Sequence, residues 1–183
     1  ADAAWTKNEM ERASSAFLRL YDAPAHAHAA TEWRMNRHAW RLIQRFGFRY
    51  ASDTRGHCPF IPVCNAEIIA CAQLPTTLPT LDEMMAQDAR TPDDCVPKLL
   101  EATARAIATP HVFTLRAERE GGKLFPALQT LLDGWHKQGY LFCALEDCLA
   151  DLNLARLPRH SVSEVSLPGR LRPVSMQGEE FLA

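Results

Sequence analysis

Amphipathic helical stretches alternate with short apolar runs along most of this chain, and that alternation restricts its fold more than any other feature. Behind the capping box Thr6-Lys7-Asn8-Glu9, the residues Met10, Ala13, Phe17 and Leu20 recur at helical spacing and predict a helix over 6–21. Asn36 is placed to cap a second helix, with Ala39, Leu42, Ile43 and Phe46 on one face and Gly47 at its end; 48–52 then reads as a strand. The apolar centre of 67–72 suits a strand covered on both faces, and Thr80-Leu81-Asp82-Glu83 is a second capping box that opens a short helix. A helix over 93–108 puts Val96, Leu99, Leu100 and Ile107 on one stripe, with Pro97 tolerated in its first turn, and 112–115 follows as a strand. A last helix over 125–138 aligns Phe125, Leu128, Leu131, Leu132 and Trp135 before Gly139 and a strand over 140–144. Helices between strands imply right-handed crossovers and parallel pairing, so the fold class is α/β, either an open sheet or part of a barrel. From 153 onward Pro158, Pro168, Gly169 and Pro173 break the pattern, which divides the chain into an α/β domain over 1–152 and an irregular tail over 153–183.

Charge and cysteine usage narrow the functional classes. A formal net charge of −2 offers no basic field, so nucleic acid is not expected as a partner. The six cysteines form no C-x-x-C pair, and a chain this long can build a core without disulfides, so they read as thiols in a reducing, cytoplasmic setting. No run reaches the roughly 18 apolar residues of a membrane span. The chain enters its first helix almost at once and without an initiator Met, as though it opened in mid-domain.

In parallel α/β folds reactive groups gather just beyond the C-terminal ends of strands. Three groups qualify: Trp33, Arg34 and Asn36 after 27–32; Asp53, Arg55 and His57 after 48–52; Arg116 and Glu118 after 112–115. Together they would line one polar mouth. Each also has a structural reading: Asp53 as a turn residue bonding nearby N–H groups, Arg34 and Arg116 as ion-pair partners of Asp53 and Glu118, and His57 as an exposed loop residue. His26 and His28, two apart, would share a strand face as a candidate metal pair, but no third ligand stands at a recognisable spacing. There is no glycine-rich phosphate loop, no G-x-S-x-G and no H-E-x-x-H.

The run Phe48-Arg49-Tyr50-Ala51-Ser52-Asp53-Thr54-Arg55-Gly56, then Pro59-Phe60, then Gln73-Leu74-Pro75-Thr76-Thr77-Leu78-Pro79-Thr80-Leu81-Asp82-Glu83 resembles the polysaccharide deacetylase family, above all its members that deformylate an aminoarabinose carried on a polyprenyl phosphate. Thr31-Glu32-Trp33-Arg34-Met35-Asn36, Phe113-Thr114-Leu115-Arg116-Ala117-Glu118 with Gly121, and Gly139-Tyr140-Leu141-Phe142-Cys143 follow in the family's order, and the similarity weakens after about residue 155.

The resemblance implies the C-terminal portion of a distorted (β/α) barrel. It also implies a divalent metal, zinc or similar, held by one Asp and two His, whose bound water attacks an amide or ester carbonyl. Those ligands belong to the family's first strand and an H-x-x-x-H segment, neither of which lies in this sequence. The expectation is therefore a metal-dependent deformylase or deacetylase in the parent protein, with no metal and no turnover in this chain alone. Arg34 matches the arginine that orients the base Asp. Asp53 matches a mouth residue that holds substrate or a neighbouring charge, and Trp33, Arg55 and Glu118 are expected beside the substrate. Where the family has the histidine that protonates the leaving amine, this chain has Arg116, which stays charged and can serve only as an electrostatic clamp.

The implied substrate is an amino sugar on a lipid carrier or polysaccharide, met at the inner face of the membrane, where Arg156, Arg159, Arg170 and Arg172 would face anionic head groups. A cut barrel exposes a strand edge, which favours self-association. The competing readings are a non-catalytic domain of the same fold that binds glycan or a protein partner, and an unrelated α/β binding domain.

Overall fold

The computed structural model describes residues 1–87, 90–105 and 109–181. Its strands form two sheets. Three short parallel strands, β1 (Ala27–His28), β2 (Tyr50–Ala51) and β5 (Ala72–Gln73), lie in the order β1-β2-β5. The second sheet is mixed, in the order β4-β3-β6-β7, and consists of β3 (Ile61–Cys64), β4 (Glu67–Ile68), β6 (Arg159–Val165) and β7 (Val174–Glu180). The architecture is α/β, as the alternation of elements implied.

The first helix, α1 (Ala3–Tyr21), starts ahead of its expected cap. The Asp2 carboxylate accepts the Trp5 N–H, and Thr6 lies buried inside the helix with its hydroxyl donating to the Asp2 carbonyl. Helix α2 (Arg37–Arg45) forms as expected. Asn36 accepts from the His38 and Ala39 N–H groups at 2.9 and 3.0 Å, and Ala39, Trp40, Leu42 and Ile43 are buried. They join Met10, Met35, Phe48 and Ala51 in a core between the two helices and the parallel sheet.

The strand expected over 67–72 is split. Asn65 and Ala66, with φ of 52° and 61°, turn the chain back so that β4 pairs antiparallel with β3. A tight turn follows, in which the Cys71 N–H bonds the Ile69 carbonyl at 2.8 Å, before β5 joins the other sheet.

Thr80 and Glu83 make the expected capping box of α3 (Leu81–Ala86). Helix α4 (Pro92–Ala102) begins at Pro92, so Pro97 falls in its interior and not in the first turn; it stops at Ala102, short of the expected 108, and the end of that expected stretch, with Ile107, lies outside the described residues. Helix α5 (Ala117–Glu120) is a single turn, and α6 (Phe125–Lys137) is followed by α7 (Leu145–Ala150). Leu81, Met84, Cys95, Leu99, Leu131 and Trp135 pack a second core among α3, α4 and α6.

Two expectations fail. The stretches 112–115 and 140–144 are not strands: the Val112 carbonyl takes the Thr77 and Leu78 N–H groups, but neither stretch forms a ladder among the described residues. The segment from 153 onward is no irregular tail either. It contains β6 and β7, the two longest strands, and β6 docks parallel onto β3. Pro158 and Pro173 each stand just before one of these strands, where a missing N–H does no harm, and Val174, Ser175 and Gln177 are buried on β7.

Candidate functional site

Beyond the parallel strands lies a cavity of about 950 Å³, walled by Phe113, Leu128, Leu132, Trp135, Tyr140 and Phe142 and rimmed by Glu32, Asp82, Arg116, Glu118 and Arg170. The rim is assembled from four distant parts of the chain. Thr31–Trp33 forms a single 3-10 turn in which Glu32 and Trp33 both take positive φ, 57° and 53°. That conformation costs a non-glycine residue about 1–3 kcal/mol and persists only where its surroundings enforce it. Here the Trp33 indole N–H donates to the Thr76 hydroxyl at 3.0 Å, and two guanidiniums pack against the ring, Arg55 at 4.8 Å and Arg170 at 5.0 Å from its centroid.

Glu83 holds this stack together. Arg55 donates to both of its oxygens, at 3.1 and 2.9 Å, Arg170 donates through Nε at 2.9 Å, and the Thr80 N–H closes the capping box. The Arg55, Glu83 and Arg170 side chains are each less than a tenth exposed.

Arg170 carries the charge outward to the rim, where Asp82 lies 3.7 Å away; Arg116 stands 3.7 Å from Asp82 and 3.6 Å from Glu32. Partial burial pushes the Asp82 carboxyl up, but the Thr80 hydroxyl, Arg170 and Arg116 together outweigh it and leave the group below the ordinary carboxylate range. Arg116 is positioned through its backbone N–H, which donates to buried Glu120 at 2.7 Å. At the inner wall, His111 packs against Tyr140 with both ring nitrogens unpartnered, and its burial lowers its affinity for a proton.

Of the residues singled out from sequence, Trp33, Arg116 and Glu118 line the cavity. Asp53 and Arg55 lie beneath it. Asp53 is 0% exposed and joins the strand ends: it accepts the Ala30 N–H at 2.8 Å, lies 2.7 Å from His28 Nδ1, and donates its own N–H to Gln73 at 2.9 Å. His28 is thereby turned onto Asp53, while His26 is exposed, so the pair does not converge as a metal site. Neither Arg34 nor Arg116 pairs with Asp53 or Glu118; Arg34 is exposed and closes the 3-10 turn through its backbone N–H, which donates to the Thr31 carbonyl at 3.3 Å. Asn36 serves as a helix cap. Arg170 was expected to face head groups, but its side chain is buried against Trp33 and Glu83.

Sequence reasoning missed Glu32, Asp82, Glu83 and His111. Asp82 and Glu83 lie inside a capping box that already explained them, and nothing local marks Glu32 or His111.

The Asp and two His implied for a metal do not fit this cavity. Among its described lining residues His111 is the one histidine, and the carboxylates of Glu32 and Asp82 already face Arg116 and Arg170.

An α/β scaffold whose strands end at an apolar-walled cavity with a paired-charge rim has the form of a ligand-binding or catalytic domain. No family model matches the chain. It is similar to a probable 4-deoxy-4-formamido-L-arabinose-phosphoundecaprenol deformylase of Wigglesworthia glossinidia brevipalpis, at 28% identity over 159 residues, which is 85% of this chain and 54% of that protein. A second protein of the same name, from Shewanella sediminis (strain HAW-EB3), is 31% identical over 117 residues, 62% of this chain and 35% of its own length. The chain thus spans about half the length of the curated relatives it matches, or less. Both similarities agree with the resemblance to the polysaccharide deacetylase family that the motifs carried. No helix of the described residues is long and apolar enough to cross a membrane.

Proposed function

We propose that this chain is the C-terminal part of a deformylase- or deacetylase-type hydrolase acting on an amino sugar, and that it supplies the substrate mouth of that enzyme. The observation that carries this reading is the pairing of a charged rim, Arg116 and Arg170 against Asp82 and Glu32, with an aromatic and aliphatic wall behind it. Guanidiniums suit a sugar phosphate, carboxylates accept hydroxyl donors, and the apolar wall suits the first units of a polyprenyl chain. Trp33 and Glu118 contact the sugar, Arg55 and Asp53 hold the strand ends beneath them, and Arg34 faces the base that the remainder of the protein contributes. A divalent metal, held by residues outside these 183, supplies the activated water in that larger protein.

Apolar side chains that a finished domain would cover stand exposed here, among them Leu20 and Tyr21 on α1 and Leu141 and Phe142 at the cavity. They support a covering segment or self-association through that face. Arg156, Arg159 and Arg172 remain exposed for contact with an anionic membrane surface.

A second reading, a non-catalytic domain that binds glycan or a partner, is favoured by one observation: Arg116, which the resemblance sets at the family's acid position, faces two carboxylates. One experiment separates the two readings. Formate release from an N-formyl amino-sugar phosphate is followed for this chain and for a longer form that carries the preceding segment, and tryptophan fluorescence reports binding. The hydrolase reading expects binding by both and turnover by the longer form alone. Binding without turnover in the metal-loaded longer form favours the second reading, and no binding by either form removes the mouth assignment.

A further inference from the structure

After Arg55 the chain leaves the parallel strands and passes against the C-terminal hairpin, where three metal-ligating side chains converge. His57, Cys58 and His160 each present one ligand atom, and the three atoms lie within 4.8 Å of one another. None of the three lines the cavity described above.

Their surroundings are built to hold this arrangement. His160, on β6, is 7% exposed, and its Nδ1 lies 2.8 Å from the Gly178 carbonyl. A carbonyl oxygen only accepts, so the proton sits on Nδ1 and the Nε2 lone pair is left for an ion, as is usual around ligating histidines. Phe60 and His57 meet the His160 ring edge to face, with centroids 5.6 and 5.7 Å away, and restrict its rotation.

Gln177, buried on β7, fixes the other two residues. Its Oε1 accepts the His57 and Cys58 N–H groups at 2.8 and 3.3 Å, and its Nε2 donates toward Cys58 Sγ at 3.2 Å, a contact that suits a thiolate ligand. The loop can approach so closely only because residue 56 is glycine: a Cβ there would fall 2.5 Å from Gln177 Oε1 and 2.9 Å from Pro75 Cβ.

We propose that His57, Cys58 and His160 bind a single late first-row transition ion, zinc(II) by preference, which fastens the loop after Arg55 to the C-terminal hairpin. The donors decide the class of ion. Two imidazoles and a thiol are too soft for magnesium or calcium, which take oxygen ligands, and they match the mixed N/S sets of zinc. A tetrahedral ion with metal–ligand bonds of about 2.0–2.3 Å needs donor separations of about 3.4–3.7 Å. His57 is exposed and free to swing inward, while His160 and Cys58 are held. Its exposure also leaves the fourth position open to water. The proposal does not rest on the hydrolase reading.

The test is titration of the whole 183-residue chain, reduced and stripped of metal, with cobalt(II) followed by zinc(II). One equivalent of cobalt should bind with the intense visible bands of a tetrahedral site and a thiolate-to-cobalt charge-transfer band, and zinc should abolish both. Cys58→Ser should remove the charge-transfer band, whereas Cys143→Ser should leave it intact. His57→Ala, at an exposed position that does not threaten the fold, should weaken cobalt binding at least about tenfold, the loss expected even of an outer-sphere partner. Zinc should raise the unfolding temperature of the parent chain and not that of His57→Ala. A weak octahedral spectrum at saturating cobalt, or a charge-transfer band that survives Cys58→Ser, would overturn the proposal.

Discussion

Replacing Glu83 by Gln keeps the shape of the side chain and removes its charge, which tests whether the stack beneath the rim holds this part of the molecule together. Arg55 and Arg170 both donate to Glu83 at 2.9 Å, and all three side chains are less than a tenth exposed. Removing the charge leaves one amide oxygen for Arg55 and Arg170 to share and turns an amide N–H toward a guanidinium, while Arg55 keeps its bond to the Leu78 carbonyl. Breaking a buried pair in this way costs about 3–5 kcal/mol, because a charge is left desolvated without a counter-ion. For a domain of this size each kcal/mol moves the unfolding temperature by about 2–4 °C, so a loss of roughly 6–20 °C is expected.

The control is Glu67→Gln. Glu67 pairs with Arg41 at 2.5 Å, but both side chains are more than a third exposed, and surface pairs contribute about 0–1 kcal/mol. Urea denaturation followed by tryptophan fluorescence compares the two variants. If Glu83→Gln costs no more than Glu67→Gln, the claim that the buried stack organises the site is wrong.

Three further outcomes follow from the same geometry. His111 has a lowered proton affinity in the folded chain, so the unfolded chain takes up the proton first as pH falls below about 6.5. Stability should therefore decline below that pH, and His111→Leu should flatten this part of the urea-midpoint profile. Arg116→Ala removes one of the two rim guanidiniums without touching either core, and should weaken sugar-phosphate binding about tenfold or more at unchanged unfolding temperature, read by fluorescence titration. Gly169 has a φ of 78°, and a Cβ there would lie 2.9 Å from Ala86 Cβ and 3.1 Å from the Glu83 carbonyl. Gly169→Ala should cost about 1–3 kcal/mol in denaturation, since it both strains the turn and displaces the neighbouring Arg170.

Local signals were legible where one helix could be judged alone. Asn36 as a cap, Thr80 with Glu83 as a box and the stripe of Leu131 and Trp135 all appear where periodicity placed them. Extended segments were less legible, because a strand is defined by its partner. Phe113 has the composition of a strand residue yet packs edge-on against Trp135 without a ladder, while the polar β6 finds its parallel partner nearly a hundred residues away in β3. The site was half visible for the same reason. Trp33 and Arg116 lie in recognisable motifs, but Arg170 and His160 take their meaning from residues far off in sequence, with only the Pro168-Gly169 turn to hint that the chain doubles back.

The hairpin at the chain's end bears on how the protein is made. Ser175 accepts the Arg55 N–H at 2.9 Å through its carbonyl and takes the Met35 N–H through its hydroxyl, and Arg170 closes the stack on Trp33. During synthesis, residues 33–55 emerge well before these partners exist. Two arginine-bearing loops and a tryptophan in a strained turn must then wait, exposed, until β7 clears the ribosome. Helices α1 and α2 can form during that interval from local contacts alone, but the rim and the parallel strand ends lock together only once β7 has emerged. A nascent chain stalled before Arg170 has emerged should hold its helices and still be open to proteases around Trp33 and Arg55.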